Sequence, residues 1–276
     1  MPPTFWESVA LGAIRGLAEI LPISASGHLA LADMLFGLSP RALAVDVLLR
    51  VGTLLAIVVV LWPRLRVALR AGLAAVLDPS LFSTTPGARD ALVLLLAAVP
   101  SCSLSFLLRH VVERVGHSPL AIGVGLLGNA ALLFGSRWTR LGLAAQPGVV
   151  GALLMGVAQG VAVLPGLSAT AATVTLALWL GVRRERAFEL SLLVSLPVSL
   201  STLAFELLEA ERAQATLAPG LVGPAVFGCL AAFLMGLVAL WLLRRSVAAG
   251  GLPWFAAWLV PVSLATLALA KAWPHG

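Results

Sequence analysis

Residues 12–28 read GAIRGLAEILPISASGH, and residues 156–170 read GVAQGVAVLPGLSAT. In each stretch an apolar helical pattern is interrupted by a proline and then by a short segment rich in small and hydroxylated residues. The two stretches align at an offset of 144 residues through the pairs Gly12 and Gly156, Gly16 and Gly160, and Ala18 and Ala162. The chain is therefore predicted to consist of two repeats, the first at about 1–143 and the second at about 144–276.

The composition of the chain is typical of a membrane protein. Its 276 residues are 60% hydrophobic and only 11% charged, and the mean hydropathy is +1.03. Since a bilayer span needs about 20 apolar residues, this length allows roughly eight crossings and leaves no room for a separate soluble domain. We therefore predict an all-α polytopic membrane protein with a single integral domain over 1–276.

Charge and cysteine content argue against other classes of protein. The net charge is +6, but no basic run interleaved with aromatic residues lies on a polar segment, so nucleic acid is not expected as a partner. Cys102 and Cys229 stand in apolar runs without a CxxC spacing. This placement argues against a disulfide framework or a zinc site.

Two apolar segments, 28–38 and 171–182, are too short to cross a bilayer. Each follows one of the proline breaks, so we predict paired re-entrant or broken helices. Irregular backbone at membrane depth needs protein or a water-filled cavity to satisfy its amides. The loops 22–27 and 165–170 are therefore expected to line one cavity, and the GxxxG spacing of the preceding helices allows close helix packing. The alternative is that the breaks are only proline kinks and loop ends, without a ligand.

Few ionisable residues lie inside apolar runs, where charge is costly. The ones that stand out are Arg15, Glu19, His28, Asp33, Asp46, Arg50 and Glu189. Arg15 and Glu19 are four residues apart, which permits an ion pair on one helix face. Asp46 and Arg50 have the same spacing. Each pair has a structural as well as a functional interpretation, because two opposite charges can offset the cost of burying each other without a ligand. The arginine clusters follow too many successive spans for one side of the membrane to hold all of them, so they predict no topology.

The segment SASGH at 24–28 has the parts of an anion site. Hydroxyl and amide donors at a helix start, here Ser24, Ser26 and Gly27, bind phosphate oxygens. A nearby arginine neutralises the anion, and an imidazole or a carboxylate can carry protons during phosphoryl transfer. A lone histidine is more often a hydrogen-bonded structural residue, but the place of His28 in a paired membrane break favours contact with a ligand.

Longer stretches resemble one family of membrane proteins. They are RGLAEILPISASGH at 15–28, VDVLLRVGTLLAIVVVLWPRL at 45–65, and LPGLSATAAT with FELSLLVSLPVS within 164–199. In order and spacing they resemble the undecaprenyl-diphosphate phosphatase family, a bacitracin-resistance type of integral membrane phosphatase. The resemblance implies two inverted repeats with paired re-entrant helices, and hydrolysis of undecaprenyl diphosphate to the monophosphate carrier of cell-wall synthesis. It also implies a multi-pass protein of the bacterial cytoplasmic (inner) membrane, with the site facing the outer side.

The sequence departs from the family pattern at positions that carry its chemistry. The first family motif has two glutamates four residues apart, then Pro, any residue, Ser-Ser, any residue and Gly-His. Here Arg15 replaces the first glutamate and Ala25 replaces the second serine. The second motif normally reads Pro-Gly-x-Ser-Arg-Ser, and here Ala169 replaces the arginine and Thr170 the last serine. Alanine supplies neither an attacking hydroxyl nor a positive charge for the transition state.

The resemblance assigns roles to the residues that remain. The candidate catalytic residues are Glu19, Ser24, Ser26 and His28. The candidate phosphate-binding residues are Arg15, Arg50, Gly27, Ser168 and Thr170, with Arg15 or Arg50 in place of the missing arginine. Glu19 is also the candidate ligand for a metal ion, Mg or Ca, and no other cofactor is expected.

Two functions from different classes follow from these observations. A phosphatase with a rearranged site would retain hydrolysis through Glu19, Ser24 and His28. A non-catalytic polyprenyl-phosphate binding protein or flippase would explain the losses at Ala25 and Ala169. Transport of another anionic or amphipathic solute is a third alternative, whereas the acid-phosphatase type of lipid phosphatase lacks its other motifs here. The expected partners are an isoprenoid lipid phosphate and membrane lipids, with a homodimer left open.

Overall fold

The structure is a computed structural model that describes residues 4–37, 43–139, 141–212 and 219–272. The α-helices in chain order are α1 (Phe5–Ile20), α2 (Ala25–Phe36), α3 (Leu43–Leu77), α4 (Leu81–Thr84), α5 (Pro86–Val115), α6 (Pro119–Gly135), α7 (Val149–Val161), α8 (Ala169–Trp179), α9 (Arg184–Arg212), α10 (Pro219–Ala249) and α11 (Leu252–Ala272). A short 3₁₀ helix follows α6, and the described part contains one isolated backbone bridge, between Ala144 and Val182. The predicted all-α class is confirmed.

Six helices, α3, α5, α6, α9, α10 and α11, are long and apolar enough to cross a membrane. The chain is therefore a multi-pass membrane protein. The helices beside the two breaks are shorter, with 16 residues in α1, 12 in α2, 13 in α7 and 11 in α8. Since a span needs about 20 residues, each break shortens the helix on both of its sides. The sequence predicted a short helix only after each break.

Side-chain caps fix where several helices begin. At α1 the Thr4 hydroxyl accepts from the Glu7 N–H, and the Glu7 carboxylate accepts from the Thr4 N–H, which forms a capping box. Ser118 caps α6 in the usual way, through its side-chain oxygen. Ser24 and Ser168 cap α2 and α8. One serine of each break is therefore a helix cap.

Glycines of α1 and α7 allow two pairs of helices to approach closely. A Cβ atom placed on Gly12 of α1 would lie 2.0 Å from the carbonyl oxygen of Gly228 in α10. A Cβ atom placed on Gly156 of α7 would lie 2.3 Å from the carbonyl oxygen of Ala97 in α5. The close packing that the GxxxG spacing predicted is confirmed, and each short helix packs on a long helix from the other half of the chain.

The direction of each helix follows from the residues that meet. α1 runs parallel to α10, because Gly12 lies against Gly228 and, four residues on, Gly16 lies against Ala232. α7 runs parallel to α5 through its own glycine pair. By the same criterion α3 is parallel to α10. α3 is antiparallel to α9, because Arg50 and Arg64 pair with Glu206 and Glu189, and α9 is parallel to α5, because Arg186 and Ser201 meet Asp90 and Cys102. α1 and α7 therefore point in opposite directions. The repeat boundaries and the inversion of the repeats stay predictions, and these directions agree with them.

α8 and the first half of α9 form the best-packed interior. Most side chains between Arg186 and Val198 of α9 are buried, and so are most of those in α8. The hydroxyls of Thr173 and Ser191 join the two helices by a hydrogen bond. The loop that precedes α8 is therefore anchored in the rigid part of the protein.

Candidate active site

The two breaks meet inside the protein, and Asn129 of α6 joins them. The Asn129 side-chain N–H donates to the carbonyl oxygen of Pro22, in the first loop, at 2.9 Å. The Asn129 side-chain oxygen accepts from the backbone N–H of Ser168, in the second loop, at 3.2 Å. Asn129 is 0% exposed, so both hydrogen bonds are sheltered from water. The structure thus brings loops 22–27 and 165–170 together, as the paired breaks predicted.

The first loop turns sharply at Ser24. The φ angle of Ser24 is +74°, a left-handed value that is uncommon for residues other than glycine and that clusters at functional sites. The Ser24 hydroxyl oxygen accepts from the Gly27 N–H at 3.2 Å and lies 3.3 Å from the Ser26 hydroxyl. Ser24 is buried whereas Ser26 is exposed. The Ser26 hydroxyl is therefore the accessible one of the two.

The second loop packs tightly on α6 and reaches back to α1. Gly166 has a φ of +83°, and a Cβ atom there would lie 2.3 Å from the carbonyl oxygen of Ile122, so the turn requires glycine. The Ser168 hydroxyl oxygen accepts from the Ala171 N–H at 3.3 Å. The Thr170 hydroxyl donates to the backbone carbonyl oxygen of Glu19 at 3.3 Å. Thr170 therefore links the start of α8 directly to the end of α1.

Two helix N-termini lie at this junction, since α2 begins at Ala25 and α8 begins at Ala169. The first N–H groups of a helix have no partner within the helix and carry the positive end of its dipole. Among the described residues no protein partner is found for the backbone N–H groups of Ala25, Ser26, Ala169 and Thr170. Ala25 and Ala169, where the resemblance implied a serine and an arginine, are the first residues of these two helices.

His28 is fixed through both nitrogens of its ring. Nδ1 lies 3.0 Å from the backbone carbonyl oxygen of Ser24, and Nε2 accepts from the indole N–H of Trp258 at 3.1 Å. A carbonyl oxygen cannot donate, so Nδ1 carries the hydrogen and Nε2 is the bare nitrogen. The planes of the His28 and Trp258 rings are 17° from parallel, with 6.3 Å between the ring centres. The imidazole is therefore held as one neutral tautomer by residues of α2 and α11.

A network of ion pairs lies beside the loops and is centred on Arg15 and Arg50. Arg15, which is only 5% exposed, has Nη2 at 3.7 Å from Glu19 Oε2 and Nη1 at 4.0 Å from Asp46 Oδ1. The predicted pair of Arg15 with Glu19 is thereby confirmed. Arg50 binds Glu206 of α9 through two hydrogen bonds, of 2.8 and 2.6 Å. The bidentate partner of Arg50 is thus a residue of a distant helix, where the helical spacing had suggested Asp46.

A small cavity connects this network with the end of α1. It is lined by Glu19, Arg50, Thr53, Leu54, Ile57 and Ser199. Its walls come from α1, α3 and α9. The Glu19 carboxylate and the Arg50 guanidinium therefore face one cavity, although they are far apart in sequence.

The candidate residues fall into two groups. Ser24, Ser26, Gly27, Ser168 and Thr170 form the loop junction together with His28. Arg15, Glu19 and Arg50 belong to the ion-pair network. The hydrogen bonds of the His28 ring go to Ser24 and Trp258, so the described contacts do not bring the imidazole onto the Glu19 carboxylate. The backbone of Glu19, held by Thr170, is the link between the two groups.

The sequence signature described as "Bacitracin resistance protein BacA" matches residues 8–265. The chain belongs to the BacA family. A relative named undecaprenyl-diphosphatase from Desulfatibacillum aliphaticivorans is 35% identical, over 92% of this chain and 95% of its own. Relatives with the same name from Korarchaeum cryptofilum and Treponema denticola are 34% and 30% identical, over 95% of this chain and 98% and 96% of their own. The family resemblance that the motifs predicted is confirmed.

Three residues that shape the site of this BacA-family protein were not predicted from the sequence. Asn129 bridges the loops, Trp258 orients His28, and Glu206 binds Arg50. Asn129 offered a signal, because an amide in the middle of the apolar run of α6 must find hydrogen-bond partners when buried. Glu206 stands near the end of the apolar run of α9, and Trp258 is one of several tryptophans, so neither gave a comparable signal.

The predicted metal site at Glu19 has a limited set of donors. Mg and Ca bind through several oxygen ligands. Within residues 4–37, 43–139, 141–212 and 219–272, no group of three or more His, Cys, Asp or Glu side chains is placed to hold a metal ion. Glu19 is also shared with Arg15. These donors do not by themselves make a divalent-cation site, and the metal role of Glu19 stays a prediction.

Proposed function

We propose that this protein hydrolyses undecaprenyl diphosphate to the monophosphate at the loop junction. The observation that carries the proposal is the meeting of two serine-capped helix N-termini, which Asn129 holds together. Unpaired amides and two positive helix ends favour a diphosphate at this point. Relatives with aligned chains are named undecaprenyl-diphosphatase. Exposed apolar side chains on the neighbouring helices, such as Leu127 of α6 and Val161 of α7, suit the isoprenoid tail.

Ser26 is the better candidate for the hydroxyl that attacks the terminal phosphorus: the P–O–P bond breaks, undecaprenyl monophosphate leaves, and water then hydrolyses the phosphoserine to release inorganic phosphate. Ser24 is buried and its oxygen already accepts from the Gly27 N–H as a helix cap. Ser26 is exposed, lies 3.3 Å from Ser24, and sits in the first turn of α2. A weakly nucleophilic hydroxyl needs a nearby base. The bare Nε2 of His28 is the proton acceptor in this proposal, after substrate binding releases it from Trp258.

A substrate phosphate has to compete with carboxylates for the arginines of the site. Arg15 and Arg50 carry the positive charges, but Glu19, Asp46 and Glu206 already face them. A diphosphate therefore gains most if it competes with Glu19 for Arg15, because the pair at 3.7 Å is looser than the bidentate pair of Arg50. In this arrangement Glu19 is left free to orient a water molecule or to bind a metal ion, Mg or Ca.

The test is release of inorganic phosphate from undecaprenyl diphosphate by the purified full-length protein in detergent, with EDTA, Mg or Ca. His28→Ala should lower the rate by about 10²-fold or more, as expected for loss of a proton-transfer group. His110→Ala is the matched control, since His110 is exposed and pairs with Glu113 on α5. Equal rates for the two variants would remove His28 from the mechanism.

A second function is favoured by the neutralised arginines and the two alanines at the helix starts. A protein that binds or flips a polyprenyl phosphate without cutting it needs neither an attacking serine nor a transition-state arginine. Binding and phosphate release, measured on the same purified sample, distinguish the two functions. Binding of undecaprenyl phosphate without phosphate release from the diphosphate, from a sample with an unchanged melting curve, would favour the binding protein or flippase.

A further inference from the structure

A second polar cavity lies well away from the loop junction. It is lined by Ser136, Arg137, Thr139, Leu178, Arg184, Val247, Gly250 and Leu252. It is where the ends of α6, α8 and α10 meet the starts of α9 and α11. Its volume of about 60 Å³ exceeds the roughly 10–15 Å³ that one water molecule needs by the same measure, so several waters or one phosphate group fit.

Two arginines of this cavity have no acidic partner among the residues that the structure describes. None of the ion pairs formed within the described residues includes Arg137 or Arg184. Arg184 donates through Nη1 to the carbonyl oxygen of Ala248 at 3.1 Å, which leaves its other donors available. Arg137 stacks on Phe134, with 4.8 Å from the guanidinium carbon to the ring centre. By contrast, neighbouring Arg186 is paired with two carboxylates.

Glycine at position 250 makes room for the Arg184 guanidinium. Gly250 has a φ of +72°, and a Cβ atom there would lie 2.8 Å from Arg184 Nη2. The hydroxyl hydrogens of Ser136 and Thr139 are used inside the protein, on the carbonyl oxygens of Leu133 and Ser136. A ligand in the cavity therefore meets positive guanidinium groups above all, which selects an anion.

The cavity is separate from the candidate active site and lies at a membrane interface. Leu178, in its wall, is ten residues from Ser168 along α8, which corresponds to about 15 Å. Trp138 and Trp254 stand beside it and are 71% and 80% exposed. Exposed tryptophans at helix ends are typical of the headgroup level of a bilayer. The cavity contains none of the residues assigned to catalysis or substrate binding.

We propose that this cavity is a phosphate-binding site that holds the headgroup phosphate of an anionic phospholipid or a free phosphate ion. Arg137 and Arg184 supply the charge, and the start of α11 at Leu252 adds the positive end of a helix dipole. Basic pockets between membrane helices are a known way to bind lipid phosphates. The site does not depend on hydrolysis of any substrate.

The test uses the purified full-length protein and native mass spectrometry with phosphatidylglycerol, and with phosphatidylcholine for comparison. The double variant Arg137→Gln/Arg184→Gln should bind phosphatidylglycerol at least about tenfold more weakly, since charge-assisted hydrogen bonds to both arginines are lost. The charge-matched control is Arg66→Gln/Arg70→Gln, which removes two exposed arginines of α3 at the same end of the protein. The control should retain its affinity, and Arg137→Lys/Arg184→Lys should keep most of the binding.

A second binding experiment uses inorganic phosphate as the probe. Competition of millimolar phosphate with phosphatidylglycerol, or phosphate binding alone that depends on Arg137 and Arg184, identifies the free ion as a ligand. Binding of phosphatidylglycerol that phosphate does not disturb identifies the lipid. The proposal is overturned if neither probe depends on these arginines, or if both double variants weaken binding equally, because the attraction would then come from the whole basic surface.

Discussion

At the scale of single residues, His28 has both ring nitrogens in use within the protein. Ser24 holds Nδ1 and the Trp258 indole N–H holds Nε2. Such a pair of contacts presets one tautomer and one ring orientation. For His28 to accept a proton, Nε2 has to exchange the indole for a substrate or a hydroxyl. Trp258 is therefore a positioning residue for the imidazole.

Trp258→Phe should lower KM for undecaprenyl diphosphate about two- to tenfold and leave kcat nearly unchanged, because the indole hydrogen bond to Nε2 exists only until the substrate binds. The variant keeps an aromatic ring but loses one hydrogen bond, which is worth about 0.5–1.5 kcal/mol. Trp254→Phe is the matched control, because Trp254 lies one turn away on α11 and is 80% exposed. Steady-state kinetics of both variants test the assignment, and a Trp258→Phe enzyme that equals the wild type would contradict it.

Arg15→Ala should weaken binding of undecaprenyl phosphate by about tenfold, because a charged partner of the phosphate is lost. Arg15→Lys keeps the charge but loses the planar guanidinium, so an intermediate affinity is expected. The measurement is a binding isotherm in detergent for the wild type and both variants. Unchanged binding in Arg15→Ala would mean that Arg15 serves only to neutralise Glu19 and Asp46.

At the scale of helices, α6 is the support for the site. Asn129 bonds to both loops, and Gly125, one turn earlier, lies against the second loop: a Cβ atom there would come within 2.0 Å of the carbonyl oxygen of Pro165. α6 is itself fixed to α11, where the Ser263 hydroxyl donates to the carbonyl oxygen of Gly123 at 2.7 Å. Since α11 also carries Trp258, one helix pair positions both the loops and His28.

Asn129→Leu should reduce kcat/KM at least about tenfold and also lower the melting temperature. The substitution leaves the Pro22 carbonyl and the Ser168 N–H without their partner, at about 1–3 kcal/mol for each buried group. Ser263→Ala is the control, because it removes a buried hydrogen bond of α6 away from the loops. Equal kinetic losses in the two variants, at equal melting temperatures, would show that Asn129 matters only for stability.

Gly12→Ala should destabilise the protein by about 1–3 kcal/mol, as overpacking of a tight contact does. The new Cβ atom would lie 2.0 Å from the backbone oxygen of Gly228, so one of the two helices must move. Gly223→Ala on α10 is the matched control, since nothing lies within 4 Å of its Cβ position. Thermal unfolding in detergent compares them, and a Gly12→Ala variant as stable as Gly223→Ala would refute the close contact of α1 with α10.

At the scale of the whole molecule, the two ends differ strongly in charge. One end holds Arg64, Arg66, Arg70, Arg89, Arg137, Arg183, Arg184, Arg186, Arg244 and Arg245. Contacts join these helix ends, for example Arg64 with Glu189 at 3.3 Å and Arg184 with Ala248. The opposite end of the helices holds Arg109, Arg114 and Arg212. The excess of arginine predicts that the first end faces the cytoplasm.

Labelling of single cysteines tests this orientation. In a background with Cys102 and Cys229 replaced by alanine, Gly148→Cys lies at the arginine-rich end and His117→Cys at the opposite end, both exposed. A membrane-impermeant maleimide should label His117→Cys in intact cells and Gly148→Cys only after permeabilisation. The reverse pattern would place the arginine-rich end outside. With the predicted pattern, α1 and α2 enter from the outer side, as the family resemblance implied for the site.

The class of protein, the paired breaks and the family could all be predicted from the amino-acid sequence. Apolar composition, proline-interrupted runs and two glycine pairs are local properties, which can be seen directly in a sequence. The pair of Arg15 with Glu19 also followed from helical spacing. The sequence placed no topology on the arginine clusters, because the apolar runs of α1 and α7 look like full spans, whereas the helices themselves have only 16 and 13 residues.

Which groups meet across the chain depends on how the helices pack. Glu206 lies 156 residues from Arg50, Trp258 lies 230 residues from His28, and Asn129 binds loops 107 residues before it and 39 after it. The spacing of residues in the sequence predicts which side chains are neighbours on one helix. A hydrogen bond between two helices depends on how they pack, which no local sequence pattern encodes. The site of this protein is built almost entirely from contacts of that second kind.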